Sequence, residues 1–169
     1  MTSHKQPPKT IDQLKNDLKS DNVSVRLDAI EGLKNSNLDG NNKLLFSALF
    51  DKDRQVQMEA HFALKSKKPD LDFTKEFLLF LATNHSRANL ESGAPTMGYV
   101  NTQTRFGDPA ELPGLIFNVV SKSPLFMENL LKLASNSDPT IKRYALLYLV
   151  PTIQIQAKDH PFETKSAIE

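Results

Sequence analysis

The sequence predicts an all-α protein built as a solenoid of about four stacked helical hairpins, the third interrupted by a long loop. A helical phrase that occurs three times predicts it first, at Val23–Leu33, Arg54–Leu64 and Thr140–Leu149. In each, a β-branched residue is followed by Ala four places on and Leu eight places on: Val25/Ala29/Leu33, Val56/Ala60/Leu64 and Ile141/Ala145/Leu149. A hairpin of such helices leaves an apolar face open that only a neighbouring hairpin covers. The second observation is punctuation: six glycines and ten prolines fall mostly between the apolar-periodic segments. The third is composition. With 169 residues, 39 % hydrophobic and 24 % charged, the chain has enough apolar side chain for a core and is not of disordered type.

The elements follow in order. Residues 1–9 read as a flexible arm. Thr10 opens the first helix as a cap, with Gln13 as its capping-box partner and Ile11, Leu14 and Leu18 on one face. Ser20, Asp21 and Asn22 break that helix and cap the next, Val23–Lys34, whose expected buried line is Val25, Ala29, Ile30 and Leu33. A polar turn with Gly40 leads to an apolar helix over Lys43–Phe50, and Asp51–Asp53 breaks it before Arg54–Lys65. Val25 and Val56 stand 31 residues apart, one repeat.

Pro69–Asp72 starts another unit, with a helix over Phe73–Thr83. From Asn84 to Asp108 the helical period fails, and Gly93, Pro95, Gly98 and Gly107 punctuate a polar stretch. A loop of about 25 residues inside a compact domain needs a reason, and recognition is the one expected. Pro109–Val120 returns to apolar content. Ser123-Pro124 and Asp138-Pro139 each set a cap residue before a Pro at the first helical position, which predicts helices over Pro124–Ser135 and Pro139–Val150. Pro151 is expected to stop the last helix, and Ile153–Gln156 alternates like a short extended segment. The expected organisation is one helical domain over residues 10–150, with the insertion at 84–108 and a tail over 151–169.

The Asp turn before the second helix, Val25-Arg26, Ala29 and Leu33 resemble the HEAT-repeat signature, and Asp138-Pro139 with Ile141, Lys142 and Ala145 resembles it again. The resemblance covers residues 10–66 and 123–150, about two-thirds of the chain. It implies a right-handed superhelix with a concave face that binds protein partners. Gln57 and Lys142 depart from the Arg of the pattern, and the middle unit hardly matches. Arg26 is expected to hydrogen-bond the turn of a neighbouring repeat.

Little in the chain points to a reaction. There is no cysteine, which excludes disulfides and thiolate chemistry. His4, His61, His85 and His160 have no second ligand at metal spacing on an expected helix. The Asp51/Asp53 and Asp70/Asp72 pairs sit at helix starts, where Asp serves as a cap. No nucleophile elbow or phosphate-binding loop occurs. Neither a catalytic residue, a cofactor nor a metal is expected.

The net charge of +1 offers no global field for nucleic acid. Lys65, Lys67, Lys68, Lys122, Lys132, Lys142 and Arg143 are interspersed with acidic residues, which argues for a mixed surface over a phosphate-binding stripe. The N-terminal MTSHKQPPKT has charge and no apolar core, so no secretory signal is expected. No apolar run approaches the roughly 20 residues of a membrane span. A cytoplasmic location follows as an expectation.

The favoured function is a non-enzymatic protein-binding module, an adaptor or scaffold subunit of a larger assembly. Its binding elements would be a concave helical face and the 84–108 loop, in which Arg87, Met97, Tyr99, Arg105 and Phe106 have the character of interface anchors. Phe62, Tyr144 and Tyr148 are expected in the core or between repeats. The alternatives are a nucleic-acid-binding HEAT-like protein, a small enzyme with a pocket under the insertion, and a lyase-like or chaperone-like helper.

Overall fold

The computed structural model describes residues 8–36, 40–84 and 112–159. All regular structure among them is helical. The chain divides into two compact units, Met1–Ser66 and Lys67–Glu169.

The first unit holds α1 (Ile11–Asp17), α2 (Val23–Lys34), α3 (Asn41–Ala48) and α4 (Arg54–Lys65). The expected capping box opens α1: the Gln13 amide donates to the Thr10 hydroxyl at 3.3 Å and the Thr10 amide to Gln13 Oε1 at 2.8 Å. Asn22 caps α2 by accepting from the Ser24 amide at 2.9 Å. Such a cap satisfies one orphan N–H and stabilises by about 1 kcal/mol. Asp53 caps α4 in the same way, accepting from Gln55 at 2.8 Å.

α3 begins two residues before its expected start. Gly40 adopts φ 79° there, a left-handed conformation that costs glycine little. Asn41 follows it, buried, and its Nδ2 donates to the Ser36 carbonyl at 2.6 Å and the Leu33 carbonyl at 3.3 Å. α3 also ends early. Leu49, Phe50 and Asp51 donate to carbonyls three residues back, a tightened last turn that uses up orphan carbonyls.

α2 packs against α1, α3 and α4, and α3 against α4. Leu14, Ala29, Ile30, Leu33, Leu45, Phe46, Leu49, Val56, Ala60 and Leu64 are buried. Burial of each large side chain contributes about 1.5–3 kcal/mol before entropy is counted. The expected buried line of α2 needs correction. Val25 is only half-buried, and Arg26 takes the inner position, 2 % exposed. A guanidinium can sit there because every side of it is hydrogen-bonded, as described below.

The second unit holds α5 (Leu71–Thr83), α6 (Leu112–Val120), α7 (Pro124–Leu133) and α8 (Pro139–Asp159). Asp70 caps α5 by accepting from the Phe73 amide at 2.9 Å. Asp138 accepts from Thr140 at 2.8 Å and Ile141 at 3.2 Å at the start of α8. Ser123 has the extended backbone of an N-cap, but its hydroxyl makes no cap bond. A run of aromatic contacts joins the unit: Phe73–Phe77, Phe77–Phe126, Phe117–Phe126 and Phe117–Tyr148, the last edge-on with ring centres 5.0 Å apart. Offset and edge-on geometry of this kind adds to the burial of the rings.

The expected stop at Pro151 is overturned. α8 continues through Pro151 to Asp159, and Ile153–Gln156 is helical. Pro151 removes one backbone donor, and the loss is tolerated because the following turns are held by other bonds. The Thr152 hydroxyl donates to the Tyr148 carbonyl at 2.7 Å. Gln156 Nε2 donates to the carbonyls of Ser121 at 2.9 Å and Ser123 at 3.0 Å in the α6–α7 turn. Pro151, Thr152 and Gln156 are all buried.

Candidate functional site

The expected interface anchors Arg87, Met97, Tyr99, Arg105 and Phe106 lie outside the described residues, as do His4, His85 and His160. The candidates that fall within the structure divide into groups that hold the fold and groups that face solvent.

Polar side chains in and around the cores serve the turns. Arg26 donates from Nε and Nη2 to the two carboxylate oxygens of Asp51, each at 3.0 Å, and from Nη1 to the carbonyls of Ser20 at 2.7 Å and Asp21 at 3.2 Å. It therefore bonds its own turn and the turn one repeat on. Gln57, the departure from the Arg pattern, keeps half of this arrangement: its Nε2 donates to the Asp51 carbonyl at 2.6 Å. Lys52 completes the correspondence from the second turn with Nζ 3.0 Å from an Asp21 oxygen, an exposed pair of little energetic weight. In the second unit Asn129 Nδ2 donates to the Pro69 carbonyl at 2.9 Å. These amides and the guanidinium donate to loop and helix-end carbonyls that have no partner within a helix.

The paired aspartates separate by role. Asp53 and Asp70 are caps, whereas Asp51 receives Arg26 and the Asp53 amide. Among the described residues no three His, Asp or Glu side chains gather to hold a metal ion. Nor is any helix among them long and apolar enough to cross a membrane.

His61 is the odd polar group. It lies on α4, 4 % exposed, and its Nδ1 is buried without a hydrogen-bond partner. Burial, and then the Lys65 ammonium one turn on, hold its pKa below the ordinary 6.5. The imidazole therefore favours the neutral form. Its sequence signal was its place next to Ala60 and three residues before Leu64, within the buried face. Lys67 in the basic cluster is likewise lowered by partial burial, opposed by Asp70. Burial raises the Tyr148 phenol, with the neighbouring Tyr144 adding to it.

Of the three aromatics expected in the core or between repeats, Tyr148 is buried and Tyr144 half-buried, and Phe62 stands 49 % exposed. Its helix turns the Ala60, Ala63 and Leu64 face inward, which leaves Phe62 pointing outward. Leu71, Leu131, Leu146 and Val150 are similarly exposed. Leu149, expected to complete the third Val–Ala–Leu line, is only half-buried, and Tyr148 takes the inner place. The apolar spacing of Leu146, Leu149, Val150 and Ile153 was present in the sequence. A helix ending at Pro151 would leave that spacing too short to show. Comparison of the chain with protein-family models, with curated proteins and with solved structures returned no match.

Proposed function

We propose that the protein is a non-enzymatic binding module, an adaptor or scaffold subunit that engages protein partners. The observation that carries this reading is the set of large apolar side chains left about half exposed on helical faces: Phe62, Leu71, Leu131, Leu146 and Val150. Exposed apolar surface on a helical framework is what a partner buries on association. The described polar groups support the same reading, since Arg26, Asn41, Gln57, Asn129 and Gln156 are engaged in holding turns. In its finer form the proposal is a right-handed solenoid of four HEAT-like hairpins, and the 84–108 loop with Arg87, Met97, Tyr99, Arg105 and Phe106 adds to the contact on sequence grounds.

The test compares the full chain with a variant lacking Glu91–Gly107, both used as bait in affinity purification from the source cell. The variant is expected to keep the helical circular-dichroism signal and melting transition while losing the reproducible protein partners. Partners that bind the variant equally remove the loop from the proposal. A full chain that recovers no specific partner under native conditions sinks the binding-module reading itself.

A further inference from the structure

α8 carries two apolar seams. Ile141, Ala145, Tyr148, Thr152 and Gln156 form the first, and all are buried on the side that faces the rest of the unit, with Tyr148 against Phe117 of α6 and Gln156 on the α6–α7 turn. Leu146, Leu149, Val150, Ile153 and Ala157 form a second, recurring at three- and four-residue steps. That recurrence places them along one side of a helix, displaced around the axis from the first seam. Leu149, Ile153 and Ala157 are half-buried, and Leu146 and Val150 are 49 % and 59 % exposed. The steps alternate around 3.5 residues, the spacing at which one helix packs along another.

The charges α8 carries beside this seam are basic except at its last residue, Asp159. Lys142 and Arg143 are exposed at its beginning and Lys158 at its end, and α8 has no acidic residue from Pro139 to Lys158. Asp138, just before the helix, has a carboxylate oxygen engaged as the cap. A second copy of α8 laid on the seam, parallel or antiparallel, brings basic ends onto basic ends and is disfavoured by like charge. A membrane surface would be met by a helix with a continuous basic face beside its apolar one, whereas the cations of α8 lie only toward its two ends, at Lys142, Arg143 and Lys158.

We infer that the outer seam of α8 is a docking site for an acidic amphipathic helix of a partner protein. Leu146 and Val150 enter its apolar stripe, and Lys142, Arg143 and Lys158 pair with carboxylates toward its ends. The inference rests on the protein-binding reading above and names the chemistry of one partner.

The test uses the full chain and three probes. These are a labelled 18-residue helical peptide with Leu at seam positions and Glu elsewhere, the same peptide with Lys in place of Glu, and phosphatidylcholine vesicles containing phosphatidylserine. The Glu peptide is expected to bind at least about tenfold more tightly than the Lys peptide, with the preference falling as salt rises. Leu146→Glu with Val150→Glu is expected to weaken Glu-peptide binding by at least about tenfold, with circular dichroism unchanged because both positions are exposed. Lys142→Glu with Arg143→Glu is expected to shift the preference toward the Lys peptide. The inference is overturned by equal binding of the two peptides, by no binding of either, by double variants that bind as the parent does, or by vesicle binding without peptide binding. If the seam fails while loop-dependent capture of partners persists, only the α8 assignment falls. If the seam binds but no cellular partner is recovered, the wider reading falls instead.

Discussion

Arg26 and Asp51 form a two-pronged ion pair between α2 and the turn that precedes α4, with both N–H···O distances at 3.0 Å. The guanidinium is 2 % exposed and the carboxylate 11 %. The geometry suits arginine alone, because a planar fork meets a planar carboxylate while its third nitrogen reaches the Ser20 and Asp21 carbonyls. Removing one partner leaves the other charge buried, which costs about 3–5 kcal/mol. Asp51→Ala is therefore expected to lower the urea midpoint of the first unit strongly. Arg26→Lys should recover only part of the stability that Arg26→Ala loses. The double variant Arg26→Met, Asp51→Leu should be milder than either truncation, and a purely additive double loss would show that the pair is not coupled.

Gly32 lies inside α2 against the end of the Leu14 side chain, which would have to shift to admit a Cβ. A Cβ added there would stand 2.7 Å from Leu14 Cδ2, and Leu14 is buried against it. Overpacking costs about 1–3 kcal/mol, set against about 1 kcal/mol of gained helix propensity. Gly32→Ala is thus expected to destabilise by about 1 kcal/mol, the excess of the first effect over the second. In a Leu14→Ala background the clash is gone, so the same substitution should stabilise. The measurement is the four-member denaturation cycle, and the same sign in both backgrounds would refute the close-contact explanation.

The end of α8 depends on Gln156. Its amide supplies donors to two turn carbonyls; Ser123 also accepts from the Phe126 amide, so replacing Gln156 with Leu costs chiefly the bond to the Ser121 carbonyl, about 1–3 kcal/mol. Gln156→Leu should also speed hydrogen exchange of the amides at 152–159, because the last turns lose their attachment. Pro151→Ala restores a backbone donor within the helix and is expected to slow that exchange. Unchanged exchange in Gln156→Leu would show that apolar packing alone holds the segment.

His61 makes stability depend on acidity. Its folded pKa lies below the unfolded value of 6.5, so the unfolded chain binds the proton more readily. The contribution is fully present above about pH 6.5 and declines as pH falls from there through the folded pKa. His61→Leu removes both the titration and the unpaired Nδ1. It is expected to flatten the fall in stability below about pH 6.5 and to leave stability at pH 8 equal or higher. A parent and variant with parallel pH profiles would exclude His61 as the source.

Much of the helical framework was legible in the chain. Thr10 with Gln13, Asn22, Asp53 and Asp138 marked helix starts correctly because a cap depends on residues within one turn of each other, whereas α5 begins at Leu71, two residues before its expected start, with Asp70 as its cap. The Val–Ala–Leu spacing located α2, α4 and α8 because a helix face repeats at fixed intervals. The five loop residues proposed as anchors fall outside the described structure, so their part in a site stands on their chemical type alone.

Local signals stopped where distant residues compete for one position. By itself the sequence determined that the chain is helical, where most helices begin, and that their inward faces are built on alanine and branched aliphatics. Only the tertiary structure decided that Arg26 replaces Val25 on the inside, since that depends on Asp51 being brought to it from the next turn. Only the tertiary structure carried α8 past Pro151, because the bonds from Gln156 to Ser121 and Ser123 join residues more than thirty positions apart. The same extension uncovered a second apolar seam on that helix. A proline is a local penalty of about 3 kcal/mol, and burial with two long-range hydrogen bonds on the following turns is enough to oppose it.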